Sequence, residues 1–205
     1  ESEGACIAAG RVGRAGLLLL PALLAFAAQS PSLSHGFAAD DFLIILGNPQ
    51  ITGPGPLSAV FLTDWFDSGG AGAIGYYRPV TKASFRLTWA LAGPSAFAFH
   101  LGNFAAHALA VPCLTLLLAQ LLERRIGVVG AALWGLHPMT VQAVQNVTAR
   151  SDVLAGAFFL ATLALVARWA KTGRSSWLAA SLFTAALALG SKESAALAPI
   201  AAGAV

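Results

Sequence analysis

The chain has 205 residues, of which 57% are hydrophobic and only 10% charged, with a formal net charge of +3. Soluble domains carry about a quarter charged residues, so this composition excludes an ordinary soluble domain and reads as a membrane protein. The basic residues form no run with interleaved aromatics, which argues against a nucleic-acid surface.

Taken in order, a Leu/Ala-rich run over residues 12–28 follows Arg11 and Arg14. It reads as a secretory signal, with Ala25-Phe26-Ala27 as a cleavage-like triplet, or as a first membrane helix. The further spans favour a retained helix. Residues 29–95 form a long segment punctuated by Pro31, Asn48-Pro49, Gly53-Pro54-Gly55-Pro56, Gly69-Gly70 and Arg78-Pro79. It is too apolar for a disordered linker, and short interfacial helices are expected over 42–46, 57–66 and 83–91. Gly70 to Gly75 matches GxGxxG, but no strand precedes it and no βαβ unit surrounds it, so it is a loop.

Further spans are expected over 97–122, 126–137, 153–170 and 177–190, with a last, truncated run over 195–205. The second of these is interrupted at His137-Pro138. Ser151 and Asp152 are expected to cap the third. Cys6 and Cys113 lie far apart and form no metal or disulfide motif. The chain is expected to be the N-terminal piece of a longer membrane domain. Its fold class is all-α: a polytopic helix bundle with a long outer first loop.

Charge sorts across these spans. With the N-terminus inside, Arg11, Arg14, Arg124, Arg125, Arg168, Lys171 and Arg174 fall inside, as the positive-inside rule requires. Asp40, Asp41, Asp64, Asp67, Asp152 and Glu193 fall outside. The outer face thus gathers acids, His and a few cations, and that asymmetry suggests a site.

Asp40-Asp41 is the focus of that face. Two adjacent carboxylates repel, and a chain keeps such a pair as a helix cap, a cation holder or a base. His100, Asn103 and His107 share one face of a helix. For His107 interhelical hydrogen bonding is the preferred reading. Arg78, between Tyr77 and Pro79, places a planar cation at a rigid turn, suited to a phosphate or to a lipid headgroup. Arg150 with Asp152, and Lys192 with Glu193, read as local ion pairs. The sequon Asn146-Val147-Thr148 lies too near the membrane to signify.

The order Asp40-Asp41, Asn48-Pro49, Tyr77-Arg78-Pro79, His100-x-x-Asn103-x-x-x-His107, His137-Pro138, Arg150-x-Asp152 and Lys192-Glu193 resembles the membrane domain of protein O-mannosyltransferases with transmembrane helices and tetratricopeptide repeats, and their bacterial relatives, within the GT-C glycosyltransferases. The resemblance implies a GT-C-type helix bundle in a bacterial inner membrane, with a catalytic acidic pair in the first outer loop, facing the periplasm. It also implies a polyprenyl-phosphate sugar donor, a protein or glycan acceptor and downstream helical repeats.

On that reading Asp40 or Asp41 is the base, with Asp40 preferred. Arg78, Arg150 and Lys192 hold the donor phosphate. Tyr77, His100, Asn103, His107, His137, Asp152 and Glu193 line the site. No metal ligand set is expected, although a divalent cation is compatible with the acidic pair. A transporter and a non-catalytic membrane scaffold are the other classes; a midplane cavity would mark the first and no cavity the second.

Overall fold

The computed structural model describes residues 16, 19–65 and 75–203. Among them every regular element is helical and no strand forms. Arg11, Arg14, Cys6 and all of the glycine-rich loop except Gly75 lie outside the described residues.

The apolar helix α1 (Leu19–Ser34) tightens into a 3₁₀ turn over Ser30–Ser34. Three short pieces follow: a π-turn at Phe42–Leu46, α2 (Pro49–Thr52) and a 3₁₀ turn at Leu57–Phe61. The side chain of Asn48 caps α2 by accepting from Gln50 N at 3.0 Å. Then come α3 (Pro79–Ala92), α4 (Ala96–Leu121), α5 (Arg124–Gly135), α6 (Pro138–Gln145), α7 (Arg150–Thr172), α8 (Ser175–Ser191), a 3₁₀ turn at Glu193–Leu197 and α9 (Ala198–Ala202).

Two of these, α4 with 26 residues and α7 with 23, are long and apolar enough to cross a membrane. At 1.5 Å per residue they run about 39 and 35 Å, against a hydrocarbon core of about 30 Å. Helices α1 and α8 are shorter but also apolar. α7 is the central helix, packed along α4 on one side and α8 on the other.

The expected span over 126–137 is a broken one. α5 has 12 residues, about 18 Å, which is too short to cross alone. After the His137-Pro138 break, α6 continues in the same sense, antiparallel to α4. Gly127 abuts the backbone of Ala119, Gly135 abuts Val111, and Val144 packs on Phe104. A Cβ on Gly127 would sit 2.9 Å from Ala119 N, so only glycine lets the two helices approach this closely.

A break inside a bundle frees backbone carbonyls that must find donors. Here His107 Nε2 bonds Gly135 O at 3.1 Å, Gln29 Nε2 reaches the same carbonyl at 3.3 Å, and Thr140 Oγ1 donates to Trp134 O at 3.0 Å. His107 is therefore an interhelical hydrogen-bonding residue.

The first long loop is packed. Ile44, Ile45, Ile51, Trp65, Phe85, Phe99 and Val147 form one buried cluster, which clamps the loop onto α3 and α4. The start of α7 differs from expectation. Its N-cap is Ala149, without a side-chain cap, and Asp152 sits in the first turn. The carboxylate favours the positive helix end from there.

Candidate active site

The acidic pair sits on a strained turn. Ala39 has φ +46°, in the left-handed region that a Cβ disfavours. Such strain persists only where the surroundings over-determine it. Asp41 supplies that constraint. One carboxylate oxygen accepts from Ala38 N at 2.9 Å and the other from Thr148 N at 3.2 Å. The residue is 3% exposed. Neither carboxylate caps the Phe42–Leu46 turn in the N-cap manner; Asp41 instead reaches back three residues and across to the turn before α7.

Burial pushes the Asp41 carboxyl above its ordinary value; the two backbone donors and His100 pull it down, and Asp40 adds to the rise. Asp40 itself is exposed; its backbone carbonyl accepts from Leu43 N and Ile44 N, and its carboxylate has no hydrogen-bond partner among the described residues. The two neighbours thus divide: Asp41 is committed to holding the turn, and Asp40 presents an unencumbered carboxylate.

Beside the turn lies a cavity of about 490 Å³. Its walls are the loop residues His35, Gly36, Ala38, Ala39 and Asp41, then His100 of α4, and one face of α6 with Asn146 and Val147. Pro138, Val141, Gln142 and Gln145 fall on that face at helical spacing. Asp40 is not itself a lining residue; it stands in the chain between two that are, Ala39 and Asp41. His100 is 3% exposed and packs edge-on to His35, ring centroids 6.3 Å apart.

A second polar group forms where α3, α7 and α8 meet. Arg78 stacks over Trp65 and Tyr76, at 5.3 and 5.0 Å from their ring centroids. It forks onto Glu193, with Nε to Oε2 at 3.0 Å and Nη2 to Oε1 at 2.6 Å. Lys192 bonds Asp152 at 2.5 Å. The expected local pairs are thus replaced by crossed ones. The hydrogen bond from Arg78 holds the Glu193 carboxyl below its ordinary range. Tyr77 is exposed and donates its hydroxyl to Phe61 O at 2.9 Å.

Arg150 lies inside the bundle. It is 2% exposed and its donors are spent on protein: Nε on Asn103 Oδ1 at 2.8 Å, Nη1 on Thr88 Oγ1 at 2.9 Å and Ser84 O at 3.3 Å, and Nη2 on Phe99 O at 2.5 Å. The guanidinium also lies over Phe85, 4.5 Å from the ring centroid. Asn103, joined to it, donates to Asn146 O at 2.8 Å and so ties α4 to the wall of the cavity. Arg150 and Asn103 are structural centres. His137 caps α6 by accepting from Met139 N at 3.2 Å and does not line the cavity.

Among the described residues no group of three or more His, Cys, Asp or Glu is placed to hold a metal ion. Sequence reasoning passed over His35, Gln142 and Gln145; the i, i+3 spacing of the two glutamines after a helix-breaking proline was the available signal. It also passed over Lys82, which is 1% exposed and donates to Thr63 Oγ1 at 2.9 Å.

The profile of the family described as dolichyl-phosphate-mannose-protein mannosyltransferase matches residues 78–204, from the start of α3 to beyond α9. Protein O-mannosyl-transferase Tmtc1 of Drosophila melanogaster is 34% identical over 133 residues, 63% of this chain and 16% of that protein. Protein O-mannosyl-transferase Tmtc2 of the same organism is 34% identical over 157 residues, 73% of this chain and 17% of that protein. Protein O-mannosyl-transferase TMTC3 of Mus musculus is 31% identical over 132 residues, 63% of this chain and 14% of that protein. The chain therefore spans about a sixth of the length of these relatives. No solved structure matches. With a matching profile over more than half its length, on an all-helical bundle with two membrane-length helices, the chain belongs to the dolichyl-phosphate-mannose-protein mannosyltransferase family.

Proposed function

We propose that this chain is the N-terminal part of the membrane domain of a glycosyltransferase. It moves mannose or another hexose from a polyprenyl-phosphate donor to a hydroxyl of a protein or glycan. The observation that carries the reading is the division of the acidic pair: a strained turn, anchored by Asp41, leaves Asp40 exposed beside a cavity that Ala39 and Asp41 line.

Asp40 takes the proton of the acceptor hydroxyl, the acceptor oxygen bonds the anomeric carbon, and the bond from that carbon to the phosphate oxygen breaks. The lipid phosphate leaves with the electron pair, and a single displacement inverts the anomeric centre. Arg78 and Lys192 are the cations that meet the departing phosphate. Tetratricopeptide repeats follow downstream, the membrane is a bacterial inner membrane, and the site faces the periplasm.

The test is transfer by the full-length protein from a defined mannosyl-phospho-polyprenol to a hydroxyl acceptor. Product with retained anomeric configuration, or none at all, overturns the reading.

Two further outcomes follow. Single Cys probes at Ser58 and Gly173, with Cys6 and Cys113 replaced, report orientation. An impermeant thiol reagent labels Ser58→Cys in intact cells and leaves Gly173→Cys untouched; the reverse pattern inverts the topology. Arg78→Lys keeps the charge but loses the fork. Donor affinity falls roughly tenfold while acceptor affinity holds; unchanged donor binding would reduce Arg78 to a tether for Glu193.

A further inference from the structure

We propose that the cavity beside Asp41 receives the hexose ring of the lipid-linked donor, and that Gln142 and Gln145 of α6 select which hexose is accepted. This rests on the glycosyltransferase reading and adds to it the residues that decide the sugar.

The first observation is His100. It lines the cavity at 3% exposure, and neither ring nitrogen meets a partner at hydrogen-bond geometry. The Gly36 backbone flanks the ring without satisfying it. Buried polar groups in native folds nearly always have partners, so an orphan imidazole on a cavity wall points to a group supplied from outside. A hydroxyl both donates and accepts, and therefore satisfies the ring in either tautomer.

The second observation is the chemistry of the opposite wall. Gln142 and Gln145 line it, and neither carboxamide has a hydrogen-bond partner among the described residues. Each carboxamide offers donors and an acceptor, the pattern that vicinal hydroxyls match. Pro138, Val141 and Val147 supply an apolar strip for the C–H face of a pyranose.

The third is what the cavity lacks. No Lys or Arg lines it, and its one carboxylate is Asp41. A phosphate has no counter-charge there; a neutral polyol does not need one. The cations lie elsewhere, on Arg78 and Lys192. The volume of about 490 Å³ falls within the range of small-ligand sites, about 300–1,000 Å³.

The experiment compares mannosyl- and glucosyl-phospho-polyprenol on the full-length protein, in equilibrium binding and in transfer, for wild type and Gln142→Ala/Gln145→Ala. Binding is followed by titration calorimetry in detergent, and α6 integrity by thermal unfolding. Expected is wild-type discrimination between the two sugars that falls roughly tenfold in the double variant, with acceptor KM unchanged.

If transfer persists and discrimination is unaltered, the cavity assignment falls while the glycosyltransferase reading stands. If the acceptor KM moves instead, the cavity belongs to the acceptor and the assignment also falls. If wild type transfers from neither donor, but binds them unequally and the variant loses that difference, the cavity assignment stands and the transfer reading falls. If wild type binds the two donors equally, the glutamines select nothing and the assignment falls. Should the double variant unfold, Gln142→Glu and Gln145→Glu, which keep the length, serve in its place under the same criteria.

Discussion

Asp40→Asn in the full-length protein leaves the fold and donor binding intact and lowers transfer by on the order of 100- to 10,000-fold, the usual contribution of a general base. The carboxylate is exposed and has no hydrogen-bond partner among the described residues, so its loss is expected to have little structural cost. Asp41→Asn behaves differently. A carboxamide has one acceptor oxygen, whereas Asp41 accepts with both of its oxygens, from Ala38 and Thr148. One backbone N–H then loses its partner, which destabilises the turn by about 1–3 kcal/mol.

The pH dependence has a definite sign. Burial raises the Asp41 carboxyl above its ordinary 3.8, so its folded value exceeds its unfolded one. Its protonated form favours folding. That contribution is complete below pH 3.8 and lost as pH rises through the raised value. Asn has no such term. The stability deficit of Asp41→Asn therefore shrinks as pH rises across that window, measured by unfolding at fixed ionic strength. Near-normal turnover in both Asn variants would remove the base from the pair altogether.

Arg150→Ala is expected to be strongly destabilising, at about 2–5 kcal/mol, the range for emptying a buried large side chain's site. It strands Asn103 Oδ1, removes the second bonds of Thr88 Oγ1 and the Phe99 carbonyl, and empties the space over Phe85. Gly102→Ala is the companion test. A Cβ there would lie 2.6 Å from Arg150 Nη2, so the guanidinium must move from four partners at once. Both variants lower the unfolding temperature of the full-length protein by roughly 10 °C. Arg150→Ala also loosens the Asn103 link to Asn146, and with it the cavity wall. An unchanged melting temperature in Arg150→Ala, with donor binding abolished, would return Arg150 to the phosphate.

The sequence made the helices legible. Uninterrupted apolar runs locate α4, α7 and α8 to within a residue or two at most ends, because hydrocarbon length and hydrogen-bond closure leave little freedom there. The His137-Pro138 break was equally plain, since a proline removes a donor wherever it sits. The pairing of charges was not. Arg78 meets Glu193 across 115 positions and Lys192 meets Asp152 across 40, whereas local pattern offers only neighbours. The burial of Arg150 was hidden for a related reason: a cation at a helix start reads as exposed until the packing of α3 and α4 around it is known. The strain at Ala39 has no signature in composition, because alanine is the residue that least advertises a left-handed backbone.

The crossed pairs change what donor binding means. Arg78 is already engaged by a bidentate carboxylate and stacked on two rings. On the proposed reading, a donor phosphate at Arg78 enters by exchange, displacing Glu193 toward solvent. The measured affinity would then be a difference between two anions competing for one guanidinium, with Glu193 the placeholder that keeps the arginine aligned when the donor is absent.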